Sequence, residues 1–254
     1  IKLTDEIYQK GEKEKNSPQM LKAYAWRMKY REVLNPDSLY AGLKGLEQWV
    51  KQTDQPMDRA ILHSLIAGIY ANYAANNQWQ LRQRTEIVGQ TPSADIREWT
   101  ANMFVEKVRT NVKEALADSV LLLKTSSRDY IPFVELGKTS EYYHHDLYHL
   151  LASRGIDALL QVEKLGGGYT ETNAVNPVKQ DIIAIYGNML SAYKAAGLKE
   201  GYVLTALNYL EWRRGAERYI RPLQVKGEAS VLTDDTYLKA LNTLKSKYAS
   251  EPIC

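Results

Sequence analysis

The stretch from Asp54 to Tyr73 reads DQPMDRAILHSLIAGIYANY, and it decides the fold class of the chain. Pro56 follows the Asp-Gln pair of a turn, and proline is favoured in the first turn of a helix because no partner for an N–H is needed there. Apolar residues then recur at three- and four-residue spacings, at Ile61, Leu62, Leu65, Ile66, Ile69, Tyr70 and Tyr73. This period is that of an α-helix, and the wide apolar stripe predicts a helix that is buried on most of its circumference.

The segments before this helix share its period. Asn16-Ser17-Pro18 is a second turn of the same kind, and the turns at Asn16 and Asp54 lie 38 residues apart. Each turn joins a shorter helix to a more apolar one, with a period close to that of tetratricopeptide arrays. The fixed Gly and Ala positions of the full tetratricopeptide signature are absent. We therefore predict an all-α fold of tetratricopeptide-like stacked helix pairs, an α-α superhelix with irregular insertions.

The same periodicity, followed along the chain, predicts a single helical-repeat domain over residues 1–254. Repeat-like pairs of helices are expected at about 2–76 and 178–250. Clusters of Asn, Gly, Pro and Ser interrupt the pattern, and such residues mark turns and loops. They predict irregular insertions at about 77–97 and 125–140.

Further helices are expected between and after these insertions. Two long ones are predicted at about 96–124 and 141–164, and the second should end at Gly166-Gly167-Gly168, because glycine readily adopts the left-handed conformation that closes a helix. A later pair should turn at Gly197, and a last helix is predicted at about 234–249.

Composition narrows the function classes. The chain has 18 Tyr and five Trp against two Phe, and these amphipathic rings suit both helix seams and binding surfaces. Its one cysteine, Cys254, excludes an internal disulfide and a cysteine-rich metal site. No apolar run reaches about 18 residues, so no transmembrane helix is predicted. A net charge of +3 does not by itself imply nucleic acid, and with neither a phosphate-binding loop nor a Gly-x-Ser-x-Gly elbow we predict no cofactor and no catalytic residue.

Three of the four histidines lie in one short stretch, EYYHHDLYH, from Glu141 to His149. Glu141, His145 and His149 are spaced four apart and would share one helix face, where two histidines can bind one zinc ion. The zinc-protease motif has Glu after its first His, whereas Asp146 stands here with a shorter side chain. We therefore favour a packed helix start and predict no metal site. A zinc-dependent hydrolase on His145 and His149 remains the alternative.

A second cluster, from Glu211 to Pro222, interleaves arginines with aromatic residues, as surfaces that bind single-stranded nucleic acid do. Glu211 and Glu217 lie among the arginines, and cations stabilise a helix C-terminus without any ligand. We therefore predict a solvated helix end and no nucleic-acid partner.

Stacked helix pairs create an extended concave surface, because each pair buries its face only against its neighbours. Exposed Tyr, Trp and Arg side chains on such a surface are the binding candidates, although some of them must lie in the core. The candidates are Trp26, Trp49, Trp79, Trp212, Arg213 and Arg218.

Several stretches within about 10–160 carry a resemblance to a known family. They are Lys13–Gln19, Ala60–Leu65 with Tyr70 and Tyr73, Arg84–Glu86, Trp99, Val105–Lys107 and Leu147–Arg154. In these packing and turn residues the chain resembles the N-terminal helical region of large bacterial alpha-2-macroglobulin-like envelope proteins. The resemblance implies a location in the cell envelope, periplasmic or associated with the outer membrane, and a helical region that precedes macroglobulin domains.

The resemblance implies a position in a longer protein and no reaction. Some members of the family carry a protease-trapping thioester, which needs an internal cysteine, and this chain has none. We expect the chain to be a segment of such a protein. Its function is then a non-catalytic scaffold or protein-interaction module that binds the remainder of its own polypeptide or an envelope partner. A peptide- or glycan-binding helical protein of the cell surface is a further alternative.

Overall fold

The computed structural model describes residues 1–35, 38–84, 93, 95–135, 137, 145–165, 176–218 and 234–251. In these residues the backbone forms eleven α-helices and two short 3-10 helices, Ile96–Glu98 and Ser127–Tyr130. The β-type pairing found among them is an isolated antiparallel bridge between Ser126 and Asp146. The predicted all-α fold class is confirmed, and the tetratricopeptide-like superhelix stays a prediction.

The chain divides into two compact units, and each is described by itself. The first unit comprises residues 1–137 and 145–166, and the second comprises residues 138–144 and 167–254. The prediction of one domain over 1–254 stays a prediction.

The first unit contains eight of the α-helices. They are α1 (Lys2–Glu14), α2 (Ser17–Leu34), α3 (Ser38–Gln52), α4 (Pro56–Asn76), α5 (Gln78–Arg82), α6 (Ala101–Ala115), α7 (Ser119–Lys124) and α8 (Leu147–Glu163). The charged segment before Asn16 is thus itself a helix, α1, and it packs against α2.

Helix α4 lies at the centre of this unit, because it packs against α3, α6 and α8. Its buried residues point in most directions around the helix axis, as the wide apolar stripe predicted; they are Asp58, Ala60, Ile61, Leu62, Ser64, Ile66, Ala67, Tyr70, Ala71 and Ala74. Tyr70 stacks on Trp99 with ring centroids 5.3 Å apart, and its hydroxyl donates a 2.9 Å hydrogen bond to Glu47 of α3. Burial of these rings, together with the aliphatic core residues, stabilises the unit.

A buried carboxylate joins three elements of the first unit. Asp58, in the first turn of α4, is 3% exposed. The hydroxyl of Ser17 at the start of α2 donates a hydrogen bond to it, and so does the hydroxyl of Tyr130, at 2.9 Å. Since a buried carboxylate is costly without donors, these two contacts fix where α2 and the 3-10 helix of Tyr130 meet α4.

The helix predicted at 96–124 is wrong as a single element. It is divided into a 3-10 helix at Ile96–Glu98, then α6 and α7. The side chain of Thr100 caps α6 by accepting from the N–H of Met103, and that of Asp118 caps α7 by accepting from the N–H of Leu121. These caps compete with a continuous helix, which explains the breaks.

The second unit contains α9 (Pro177–Ala196), α10 (Lys199–Arg218) and α11 (Asp234–Tyr248). Gly197 has a φ of 71° and closes α9, so the turn predicted there is confirmed. Helix α10 packs against α9 and α11, and none of the described residues of α11 is buried. The glycines at 166–168, expected to end the helix of 141–164, lie outside the described residues.

Candidate interaction surface

The first two helices form an antiparallel hairpin. Lys15 has a φ of 52°, and its N–H donates to the carbonyl of Glu12, which ends α1. Asn16 then caps α2, because its side chain accepts a 3.2 Å hydrogen bond from the N–H of Gln19. Pro18 suits this first turn, since it has no N–H to satisfy. The short connection makes α1 and α2 lie side by side.

One side of the hairpin packs against α3. Tyr8, Tyr24 and Trp49 form an aromatic cluster, one ring from each helix, with ring centroids 5.7 to 6.1 Å apart. The hydroxyl of Tyr24 donates a 2.8 Å hydrogen bond to the carbonyl of Gly42. The guanidinium of Arg27 lies over two of the rings, 4.9 Å from the centroid of Tyr8 and 4.6 Å from that of Tyr24.

The electrostatics of this side are those of a packed seam. Burial raises the pKa of the Tyr24 hydroxyl, and the guanidinium of Arg27 opposes that rise. Burial also raises the pKa of Tyr8, and the carboxylate of Glu12 adds to the effect. Both phenols are therefore neutral at physiological pH. Arg27 also forms an ion pair with Asp5, at 3.1 Å, within the hairpin.

The other side of the hairpin presents large apolar side chains to solvent. Leu3 of α1 is 67% exposed and Val33 of α2 is 78% exposed, with Tyr30 at 44% and Trp26 at 39%. The rings of Trp26 and Tyr30 stack on each other, with centroids 5.5 Å apart. We name this surface the outer face and define it as Leu3, Ile7, Trp26, Tyr30, Val33 and Leu34, all of them exposed.

Helix geometry places these residues on one surface. Leu3 and Ile7 lie four apart on α1, and Trp26, Tyr30 and Val33 follow at four and three on α2, so each set forms a row along its helix. Trp26 lies two residues from Tyr24 and so points away from the α3 seam. In an antiparallel hairpin, the sides of both helices that face away from a third helix adjoin each other. The two rows are therefore neighbours.

Cationic side chains border the outer face. The ammonium of Lys29 lies 4.9 Å from the centroid of the Trp26 ring, a cation–π contact. Lys22, one turn before Trp26, is 3.7 Å from the carboxylate of Glu135. Contiguous apolar patches rimmed by polar groups mark interaction sites more often than isolated apolar residues do. The outer face is an apolar patch of this kind, and Lys29 and Lys22 form part of its polar rim.

The predicted tryptophan candidates do not share one surface. Trp26 lies on the outer face, whereas Trp49 is half-buried in the seam between the hairpin and α3. Trp79 is 72% exposed but lies on the short helix α5.

The other three candidates lie in the second unit, on α10. Trp212 is half-buried and stacks on Tyr209, with ring centroids 6.1 Å apart, and Arg213 lies 5.6 Å from the centroid of the same tyrosine. Arg218 is the last residue of α10, and its side chain lies outside the described part of the chain. Arg214, in the same cluster, pairs with Asp234 at 3.1 Å. These rings and cations contact their own chain.

The shared helix face expected for the histidine cluster is wrong. Helix α8 begins at Leu147, so His145 precedes it and does not share a face with His149, while Glu141 lies outside the described residues. The helix starts here because the side chain of Asp146 accepts a 2.7 Å hydrogen bond from the N–H of His149.

The ring of His149 is also engaged. It is 5% exposed, and its Nδ1 lies 2.7 Å from the second carboxylate oxygen of Asp146. Asp146 thus both caps α8 and holds the imidazole within the core. Among the residues described, no group of three or more His, Cys, Asp or Glu side chains is placed to hold a metal ion.

Sequence analysis missed five of the six residues of the outer face. The signal was present in α2, where Trp26, Tyr30 and Val33 form an apolar row opposite the one that contains Leu21, Tyr24 and Met28. A helix with two apolar rows can pack against neighbouring helices on either side. Periodicity alone does not tell which row is buried and which is left exposed to solvent.

No family model matches the sequence, no curated protein matches it, and no solved structure matches the fold. Within the described residues, none of the helices is both long and apolar enough to cross a membrane.

Proposed function

We propose that this chain is a non-catalytic helical scaffold that binds a protein partner through the outer face of the α1–α2 hairpin. The observation that carries the proposal is the exposure of six large apolar side chains, five of which form two adjoining rows. Removing such side chains from water is the main driving force of protein association, at roughly 25 cal/mol per Å² of apolar area. Trp and Tyr are also the residues most enriched in the energetically dominant parts of interfaces.

The buried polar groups support a structural role. Asp58 accepts hydrogen bonds from two hydroxyls, Asp146 caps a helix and holds His149, and His63 pairs with Asn111 at 2.8 Å. The Asp58 and His63 contacts join different elements of the first unit, and the Asp146–His149 contact fixes the start of α8. A general acid or base must instead reach a substrate.

The resemblance to alpha-2-macroglobulin-like proteins supports the cellular setting of this proposal. In that setting the partner is the remainder of the same polypeptide or another protein of the cell envelope, and the stacked helices form a tetratricopeptide-like array. Side-by-side hairpins such as α1–α2 are the units from which such arrays are built.

Site-specific photo-crosslinking tests the proposal. A benzophenone amino acid replaces Trp26 in one variant and Trp79 in another, since both are exposed tryptophans of the first unit but only Trp26 lies on the outer face. Each variant is expressed and illuminated in the cells that produce the chain. We expect a discrete covalent adduct from position 26, either with one other protein or within the longer polypeptide, and none from position 79. Equal adducts from both positions, or none from position 26, would overturn the proposal.

A further inference from the structure

We infer that the occupant of the outer face is an amphipathic α-helix of another protein segment, with carboxylates along the flank that meets α2. This inference rests on the proposed function and names the chemistry of the partner. It follows from the shape of the face and from the distribution of charge around it.

The shape fits a helix. Leu3 and Ile7 form one row, Trp26 and Tyr30 form a second row on the antiparallel neighbour, and these exposed rows run in the same direction along the hairpin. Side chains of a third helix pack into the groove between two such rows, as ridges fit into grooves between packed helices. On its opposite side the hairpin already packs against a helix, α3, which contacts α2 and reaches Tyr8 of α1 through Trp49.

The charges of α2 indicate which charged residues the partner helix carries on the flank that meets α2. Helix α2 carries four cations, Lys22, Arg27, Lys29 and Arg31, against one anion, Glu32. Arg27 is paired with Asp5 within the hairpin, whereas the ammonium of Lys29 contacts the ring of Trp26 at the edge of the face. A carboxylate on the partner would meet Lys29 beside a ring that excludes water, where an ion pair is less screened than in open solvent.

Helix α1 argues against an anionic bilayer as the occupant. It carries four carboxylates, Asp5, Glu6, Glu12 and Glu14, against the three lysines Lys2, Lys10 and Lys13. Membrane-surface helices concentrate cations on their polar side, because anionic headgroups attract them. A face that combines a basic α2 with an acidic α1 suits a protein helix of mixed charge.

Three fluorescent peptides of about 18 residues, the length of five helical turns, serve as probes. The first, the glutamate-flanked peptide, has a leucine stripe with glutamates along one flank and lysines along the other. The second, the lysine-flanked peptide, has the same stripe with lysines along both flanks, and the third has the residues of the first in scrambled order. Binding to the full chain is measured by fluorescence anisotropy. We expect the glutamate-flanked peptide to bind at least about tenfold more tightly than the other two.

Variants of the chain assign the binding to the outer face. Trp26→Ala with Tyr30→Ala should weaken the glutamate-flanked peptide by about tenfold or more, because aromatic side chains dominate interface energetics. Trp79→Ala, an exposed tryptophan on α5, is the matched control and should leave binding unchanged. Lys29→Glu should weaken the glutamate-flanked peptide and strengthen the lysine-flanked one, which a merely structural role would not do.

Other outcomes overturn the inference. Equal binding of the ordered and scrambled peptides, or binding unaffected by the Trp26 and Tyr30 substitutions, excludes a helix on this face. Sedimentation with phosphatidylcholine–phosphatidylserine vesicles that is lost in the same variants identifies a lipid surface instead. If no peptide binds while position 26 still crosslinks to a protein, the helical class is wrong and the proposed function stands; if neither occurs, both fail.

Discussion

Tyr130 shows how one side chain can hold elements together and give stability a pH dependence. Its ring is buried, and its hydroxyl donates to the buried carboxylate of Asp58. Burial raises the pKa of this hydroxyl far above its usual value, and the negative charge of Asp58 adds to the effect. Burial raises the pKa of Tyr70 in the same way, with the carboxylate of Glu47 as the second cause.

These shifts predict a loss of stability in alkaline solution. The folded-state pKa lies above the unfolded value, which is near 10 for tyrosine, so the stabilisation is complete below about pH 10 and is lost as the pH rises further. We expect the free energy of unfolding in urea to fall above that pH, by at most about 1.4 kcal/mol per pH unit for each tyrosine.

Two variants identify the source of this slope. Tyr130→Phe should make the alkaline slope shallower, whereas Tyr30→Phe removes an exposed hydroxyl and should leave it unchanged. Phenolate absorbance is followed in parallel. If Tyr130→Phe left the slope of the parent chain intact, the assignment to Tyr130 would be wrong.

At the residue scale, the sequence predicted which side chains are buried better than it predicted which exposed side chains form a possible binding surface. The apolar period identified Ile61, Leu62 and Ile66 as inward, and all three are buried. It did not distinguish Trp49, which packs between helices, from Trp26, which is exposed. The two differ in whether another helix packs over them, and that depends on residues distant in sequence. Likewise, the pairing of Asp58 with Tyr130 joins residues 72 positions apart.

Glycines at helix crossings determine how closely two elements pack. Gly45 of α3 lies under the hydroxyl of Tyr24, so a Cβ at this position would overlap that atom. Gly68 of α4 has open space around the position of a Cβ. The two glycines are both within helices and therefore form a matched pair.

The pair predicts stability changes of opposite sign. Gly45→Ala should lower the free energy of unfolding by about 1–3 kcal/mol, since the tyrosine hydroxyl would lose its hydrogen bond to Gly42 or the helices would separate. Gly68→Ala should raise it by about 0.5–1 kcal/mol, because alanine is the better helix former. Urea denaturation of both variants provides the measurement, and equal effects would contradict the close approach of α2 and α3.

Helix α8 depends on its cap. Asp146 accepts from the N–H of His149 and also holds the buried ring of that residue. Asp118 caps α7 through the same hydrogen bond, from the N–H three residues further on, but is exposed. We expect Asp118→Ala to cost about 1 kcal/mol, the usual value of a cap, and Asp146→Ala to cost more, because it also removes a hydrogen-bond partner of a buried imidazole.

Differential scanning calorimetry distinguishes these two costs. The midpoint of unfolding should fall further for Asp146→Ala than for Asp118→Ala. Equal falls would mean that Asp146 acts only as a cap and that the ring of His149 does not depend on it.

At the element scale, sequence predicted the longer helices but placed several boundaries wrongly. The short helix α5 lies where an irregular insertion was predicted. The turns at Asn16, Asp54 and Gly197 were correct because Pro and Gly have local conformational preferences. The break between α6 and α7 was missed, since its cap, Asp118, is a single polar residue within an otherwise apolar period. The start of α8 was placed before Asp146, although Asp is a strong capping residue.

At the scale of the whole molecule, the two sides of the α1–α2 hairpin in the first unit differ in what they contact. The α3 side of the hairpin, with α4 behind it, supplies the packed core, while the outer face leaves apolar side chains in water. Exposed apolar side chains favour aggregation and bring no gain in stability, which is why we propose that a partner covers them. The central claim is therefore that these side chains serve binding and not folding.

The most direct test combines stability with partner capture in one variant. Leu3, Tyr30 and Val33 are each replaced by glutamine in the chain that carries the benzophenone residue at position 26. The account predicts a free energy of unfolding within about 1 kcal/mol of the parent, as for surface substitutions in general, together with loss of the covalent adduct. A loss of several kcal/mol, comparable with that of the core substitution Leu21→Ala, or an undiminished adduct in a folded variant, would contradict it.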